Sequence, residues 1–123
     1  MYYIGIDISK FKHDCAVIDD SGEIITPSWS FTNDSEGFSK LKLLIDSLDA
    51  EARIGLESTG HYGMNLKLFL ESNNFSFMEF NPLLINRFVK SKSLRKTKSD
   101  SIDCLMIAHY LMTVEYKPYP PLL

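Results

Sequence analysis

The sequence predicts an α/β fold built on a mixed five-stranded sheet, with three antiparallel strands followed by alternating helices and strands. Three observations carry that expectation. Residues 2 to 31 fall into short runs rich in β-branched and aromatic residues, separated by tight connections. From Phe38 the apolar residues change to helical spacing. Beyond that point, short apolar runs closed by turn residues alternate with helical stretches, as in a sheet with helices on its faces.

Taken in order, Tyr2-Tyr3-Ile4-Gly5-Ile6-Asp7-Ile8 reads as the first strand and Asp14-Cys15-Ala16-Val17-Ile18 as the second, with the turn signal Asp20-Ser21-Gly22 after it. Glu23 to Phe31 is the third strand. Pro27 cannot donate to a ladder, which assigns that strand to an edge or a bulge. Tight connections make these three an antiparallel meander. Asn33-Asp34-Ser35-Glu36 resembles a helix N-cap with its capping-box acid, and Phe38, Leu41, Leu44, Ile45 and Leu48 follow at helical spacing. Arg53 to Glu57 is a fourth strand, Ser58-Thr59-Gly60 a turn, and Tyr62 to Glu71 a helix through Met64, Leu68 and Phe69. Phe75 to Phe80 is the fifth strand, ended by Asn81-Pro82, and a short helix covers Leu83 to Val89. Thr97-x-x-Asp100 opens a last helix carrying Ile102, Leu105 and Met106. Pro118, Pro120 and Pro121 end regular structure, so 1–117 is expected as one domain and 118–123 as an extended tail or the start of a linker.

Composition bounds the function. With 123 residues, 45% hydrophobic, 24% charged and a net charge of −3, the chain is a single globular domain in make-up, neither disordered, collagen-like nor disulfide-built. No apolar run approaches the ~20 residues that span a bilayer, and the opening lacks the basic stretch of a secretory signal. Two cysteines, Cys15 and Cys104, without a CxxC pair suit a reducing cytoplasm. The charge is uneven. Met1 to Asn86 holds six Lys and Arg against thirteen Asp and Glu, whereas 87–98 holds Arg87, Lys90, Lys92, Arg95, Lys96 and Lys98 with no acid. An acidic body with one compact basic stretch can grip a polyanion locally.

Four acids then stand out. Asp7 closes the first strand and Glu57 the fourth, and in mixed sheets of this order strands one and four are neighbours, which sets the two ends side by side. Asp100 and Asp103 are three apart, a spacing that puts both on one face of a helix. Each has a structural alternative: Asp7 as a turn-former, Glu57 as a helix cap, Asp100 as a capping-box acid, Asp103 as a first-turn acid. Together, directly after the basic stretch, they suit Mg²⁺ held by carboxylates beside phosphate oxygens.

Gly5-Ile6-Asp7-Ile8-Ser9-Lys10, Glu57-Ser58-Thr59-Gly60-His61-Tyr62, Asn81-Pro82 and Lys96-Thr97-Lys98-Ser99-Asp100-Ser101-Ile102-Asp103-Cys104 resemble, in that order, the motifs of the DEDD transposases of the insertion-sequence 110 family, which is related to the Piv-type DNA invertases. The resemblance spans nearly the whole chain. It implies a ribonuclease H-like (RuvC-like) domain in which Asp7, Glu57, Asp100 and Asp103 are catalytic and bind Mg²⁺ or Mn²⁺. It also implies DNA cleavage and rejoining during transposition, a guide RNA from the element, a homo-oligomer in the full protein, and a C-terminal domain supplying a nucleophilic serine. Ser9, Lys10, Thr59, Gly60 and Tyr62 fall on motif positions without an assigned role. Two small departures are Lys-Ser-Asp for Lys-Thr-Asp and Cys104 for Ala. The larger one is length, since nothing after Pro118 supplies the second domain. The chain is therefore expected to be an N-terminal fragment, an isolated domain or a truncated gene, weakly active or inactive alone.

Two other functions compete. A non-catalytic nucleic-acid-binding module would use the 87–98 basic stretch and leave the acids structural. Actin-like ATPases and sugar kinases also open on a Gly-Ile-Asp strand, but they need a Gly-rich phosphate hairpin where this chain has Ser9-Lys10-Phe11-Lys12, and a second copy of the fold. His13, His61, His109, Cys15 and Cys104 lack zinc-ligand spacing. The two cysteines are expected as buried small hydrophobes, His61 at a helix entry, Tyr62 as a base-stacking candidate, and Phe88 as the anchor of the basic stretch.

Overall fold

A computed structural model describes residues 1–57, 60–92 and 103–119. The elements run β1 (Tyr2–Asp7), β2 (Lys12–Asp19), β3 (Ile24–Thr32), α1 (Ser35–Ser47), β4 (Ala52–Glu57), a 3-10 turn (Gly60–Gly63), α2 (Met64–Ser72), β5 (Met78–Phe80), α3 (Pro82–Ser91) and α4 (Cys104–Thr113). All five strands join one sheet in the order β3-β2-β1-β4-β5. β1, β2 and β3 pair antiparallel, and β4 and β5 add in parallel beyond β1. Pro27 lies on the edge strand β3, whose register against β2 shifts around Val17, so both roles expected of it are met.

Side-chain alternation divides the core into two. Ile4, Ile6, Cys15, Val17, Ile54 and Leu56 point to one face, where Phe38 and Leu41 of α1 and Leu66 and Leu70 of α2 cover them. Tyr3, Ile18 and Phe80 point to the other, under Ile85 and Val89 of α3 and Ile107, Ala108 and Leu111 of α4. The second layer is unusually close because three small residues line up beneath it. Gly5 pairs with Ala16 on one side and Gly55 on the other. α4 settles into that trough: a Cβ at Gly5 would stand 2.1 Å from the Cys104 carbonyl oxygen and 2.5 Å from the Ala108 nitrogen.

Helix ends are set locally. Asp34 caps α1 by accepting from the Gly37 N–H at 2.9 Å. The cap is thus one residue later than Asn33-to-Glu36 suggested, and the position a capping-box acid would take is Gly37, pressed against the end of β3. α2 ends on Asn74 at φ 61, with Phe75 N–H bonded to Leu70 O and Asn74 N–H to Glu71 O. That motif commits Phe75 to the helix end, so β5 is shorter than the apolar run Phe75 to Phe80 predicts. Asn81 caps α3 through the Leu83 N–H, with Pro82 as the first helical residue. Among the described residues no helix is long and apolar enough to cross a membrane. Tyr119 pairs back onto Phe77, which ties the extended stretch after α4 to the edge of the sheet.

Candidate functional site at the carboxyl ends of β1 and β4

Asp7 is the last residue of β1 and Glu57 the last of β4. The strands run parallel with Ile6 opposite Leu56, so the next residue on each is one of these acids. Ile6 and Leu56 are buried on the α1–α2 face, which turns the two carboxylates to the α4 face, each half-buried. β2 adds Asp14, the register partner of Asp7 and of the same facing. Its carboxylate accepts from the Ser30 hydroxyl on β3. Asp103 reaches the same end from above as the N-cap of α4.

Asp103 differs from the sequence expectation. Its backbone is extended (φ −117, ψ 172) and its carboxylate accepts from the Met106 N–H at 2.9 Å, so it stands just before α4 as its N-cap and outside the helix proper. The physical reason is that a helix start leaves N–H groups without partners, and an aspartate outside the helix satisfies one. Asp100 lies outside the described residues, as does the expected helix start at Thr97.

These acids are close enough to feel one another. Burial chiefly, then the negative charges of Glu57, Asp14 and Asp103, push the Asp7 carboxyl up to about 6. Burial raises Glu57 as well. The ion pairs among the described residues, Lys42–Asp46, Lys67–Glu79 and Lys117–Glu115, involve none of the four. An oxygen-only set of carboxylates with no internal cation fits a hard divalent ion such as Mg²⁺ or Mn²⁺. Among the described residues no three His, Cys, Asp or Glu side chains are grouped tightly enough to hold a metal by themselves. One or two carboxylates with water and phosphate oxygens is the usual Mg²⁺ arrangement.

Of the basic residues, Arg87 and Lys90 are exposed on α3 and Lys92 is exposed at its C-cap, while Arg95, Lys96 and Lys98 lie outside the described residues. Phe88 holds α3 down edge-on against Tyr110, ring centres 5.4 Å apart, as an anchor should. Cys15 and Cys104 are both buried and free, matching their reading as small hydrophobes. His61 stands in the 3-10 turn before α2, its ring 4.6 Å from that of Tyr62. Sequence reasoning passed over Asp14, Gly5 and Gly55. For Asp14 a signal was present: an acid opening the strand antiparallel to β1 can fall opposite the acid that closes β1. The glycines carried none, because only the packed helix reveals what a Cβ would strike.

Comparison with known proteins adds a family. The model of a transposase family, the DEDD type of insertion-sequence 110 elements, matches residues 4–122. A pilin gene-inverting protein of Moraxella bovis is 33% identical over 112 residues, covering 88% of this chain and 33% of that protein. Its Moraxella lacunata counterpart matches with the same identity and coverage. A Streptomyces coelicolor mini-circle protein named as a transposase for IS117 is 30% identical over 115 residues, covering 90% of this chain and 27% of that one. The chain spans about a third of the length of the pilin gene-inverting relatives. With the sheet order above, the family match gives the ribonuclease H-like (RuvC-like) fold class that the motifs implied.

Proposed function

Because the chain belongs to the DEDD transposase family of the insertion-sequence 110 type, we propose that it forms the metal-binding half of a site that cuts and rejoins DNA strands as an insertion sequence moves. Asp7, Glu57, Asp100 and Asp103 hold Mg²⁺ or Mn²⁺ in this reading. A cation held there would supply positive charge against the negative charge building on the phosphodiester. The chain's own residues position and balance. β1 and β4 hold two carboxylates on a rigid sheet, Asp103 is tied to the first turn of α4, and Asp14 deepens the negative potential that draws a cation in. The attacking hydroxyl comes from a serine on a further domain, so this chain alone is expected to cleave DNA weakly or not at all. Mg²⁺-dependent cleavage by the purified chain, lost in Asp7→Ala, would contradict that expectation.

The partners in this reading are DNA, the element's guide RNA, the C-terminal domain and other copies of the full protein, in the cytoplasm. In this reading residues 1–117 act as the catalytic domain, followed by 118–123 as an extended tail or the start of a linker. One observation carries the reading: β1 and β4 lie side by side and both end in acids beneath the capped start of α4. Its test is iron-directed backbone cleavage. Fe²⁺ with ascorbate and peroxide should cut the chain around residues 7, 57 and 100–103, and excess Mg²⁺ should suppress those cuts. Cuts elsewhere, or the same pattern in Asp7→Asn, would overturn it.

A second reading, a metal-independent nucleic-acid-binding module, is favoured by Arg87, Lys90 and Lys92, which are exposed and make no ion pair among the described residues. It separates from the first by Asp7→Asn, which would leave nucleic-acid binding in Mg²⁺ unchanged, whereas Lys90→Gln would weaken binding in either reading.

A further inference from the structure

The tip of the β1–β2 hairpin displays a feature that neither the acids nor the basic stretch uses. Phe11 is 75% exposed, whereas Phe31, Phe38, Phe77 and Phe80 are at most 6% exposed. Exposure alone would not single this ring out, since Leu43 and Leu68 are also exposed; what does is its setting. Its backbone is fastened firmly. The Asn33 N–H donates to the Phe11 carbonyl at 2.9 Å, and the Asn33 side-chain amide donates to Lys10 O at 3.1 Å and Tyr62 O at 3.4 Å. The Ser9 N–H donates to Nδ1 of the buried His13 at 3.2 Å. The ring is therefore an outward aromatic on a rigid mount.

Its neighbours are cationic. Lys10 and Lys12 are exposed and make no ion pair among the described residues. Lys10 Nζ lies 5.1 Å from the Phe11 ring centre, which occupies one ring face at most. Lys12 lies two residues before Asp14 on the same face of β2, about 7 Å along the strand, so the hairpin tip adjoins the acidic site. Tyr62, tied to the hairpin through Asn33, adds a second exposed ring on the same rim.

We infer that the hairpin tip is a contact surface for a DNA strand beside the acids, with Phe11 stacking on an unpaired base and Lys10 and Lys12 holding the flanking phosphates. A rigid aromatic between two unpaired lysines matches a base between two phosphates in shape and charge. This assignment rests on the reading of the chain as a DNA-processing domain, and the test separates the two. A gapped duplex with one unpaired 2-aminopurine is titrated with the chain, following anisotropy and 2-aminopurine fluorescence. Wild type should quench the base on binding. Phe11→Ala should abolish the quench and weaken binding about 5- to 150-fold, the span of one base–aromatic stack, while Phe11→Trp keeps both. Lys10→Gln with Lys12→Gln should lower the slope of log affinity against log salt by about 1.4, roughly 0.7 per phosphate on a single strand. Matching urea midpoints would show that these exposed changes leave the fold intact. If Phe11→Ala binds and quenches like wild type while Lys90→Gln weakens binding, the hairpin assignment falls and the DNA reading stands. Absence of any binding by wild type overturns both.

Discussion

Substituting Gly5 by alanine puts one methyl group where α4 meets the sheet. That methyl would lie 2.1 Å from the Cys104 carbonyl oxygen and 2.5 Å from the Ala108 nitrogen, against an ordinary contact of 3.4 Å or more. Both obstacles are backbone, so no side chain can swing aside and α4 itself must rise. A gap of 0.5–1 Å already forfeits about a quarter to a half of each dispersion contact, and overpacking costs about 1–3 kcal/mol. Loss of chain entropy in the unfolded state returns about 0.4–1 kcal/mol for Gly→Ala. Because both obstacles are backbone the cost falls at the upper end of that range, so the net is a destabilisation of about 2 kcal/mol, or about 8 °C in Tm for a domain of this size. Gly55→Ala is the internal control. Its methyl meets the side-chain ends of Phe80 at 2.9 Å and Leu111 at 3.3 Å, which can rotate, so its net cost should stay under about 1 kcal/mol. Urea unfolding followed by circular dichroism reads both. Gly5→Ala as stable as wild type, or less costly than Gly55→Ala, would refute the close seating of α4 on β1.

The pH dependence of stability follows from Asp7. Its folded value of about 6 lies above the 3.8 of an ordinary aspartate carboxyl, so the fold holds the proton more tightly than the unfolded chain does. Stability is therefore present at low pH and is lost as pH rises from about 4 through about 6. Discounted for solvent screening of a half-exposed carboxylate, the loss is about 1 kcal/mol. Asp7→Asn should melt higher than wild type at pH 7.5 without metal, and the gap should close below pH 4; thermal melts across that range check it, and a gap that persists at pH 3.5 would contradict it. Asp14→Asn removes a charge facing Asp7 across the hairpin. Carbon-detected NMR titration should find the Asp7 midpoint lowered, and an unchanged midpoint would contradict the pairing.

Much of the fold was legible because its signals are local. The meander declares itself through turn residues and β-branched runs, the edge position of β3 through Pro27, and the helices through the spacing of Phe38, Leu41 and their successors. Parallel pairing of β1 with β4 followed from element order and brought Asp7 beside Glu57. Boundaries failed where a residue served two elements: Phe75 is apolar enough for a strand but closes α2. Asp103 reads as helical by spacing, yet capping draws it out of the helix. Asp14 and the Gly5 and Gly55 trough depend on register and on a helix arriving from distant sequence, which no single segment encodes.

The most direct measurement is calorimetric titration of Mn²⁺ and Mg²⁺ into wild type and Asp7→Asn at pH 6. Asp7 is then about half protonated, so a cation that takes this carboxylate must displace its proton, and the heat should vary with the ionisation enthalpy of the buffer. Wild type should bind with that buffer dependence, and Asp7→Asn should lose binding. Equal binding by both proteins, with heats that ignore the buffer, would contradict a metal site built on Asp7.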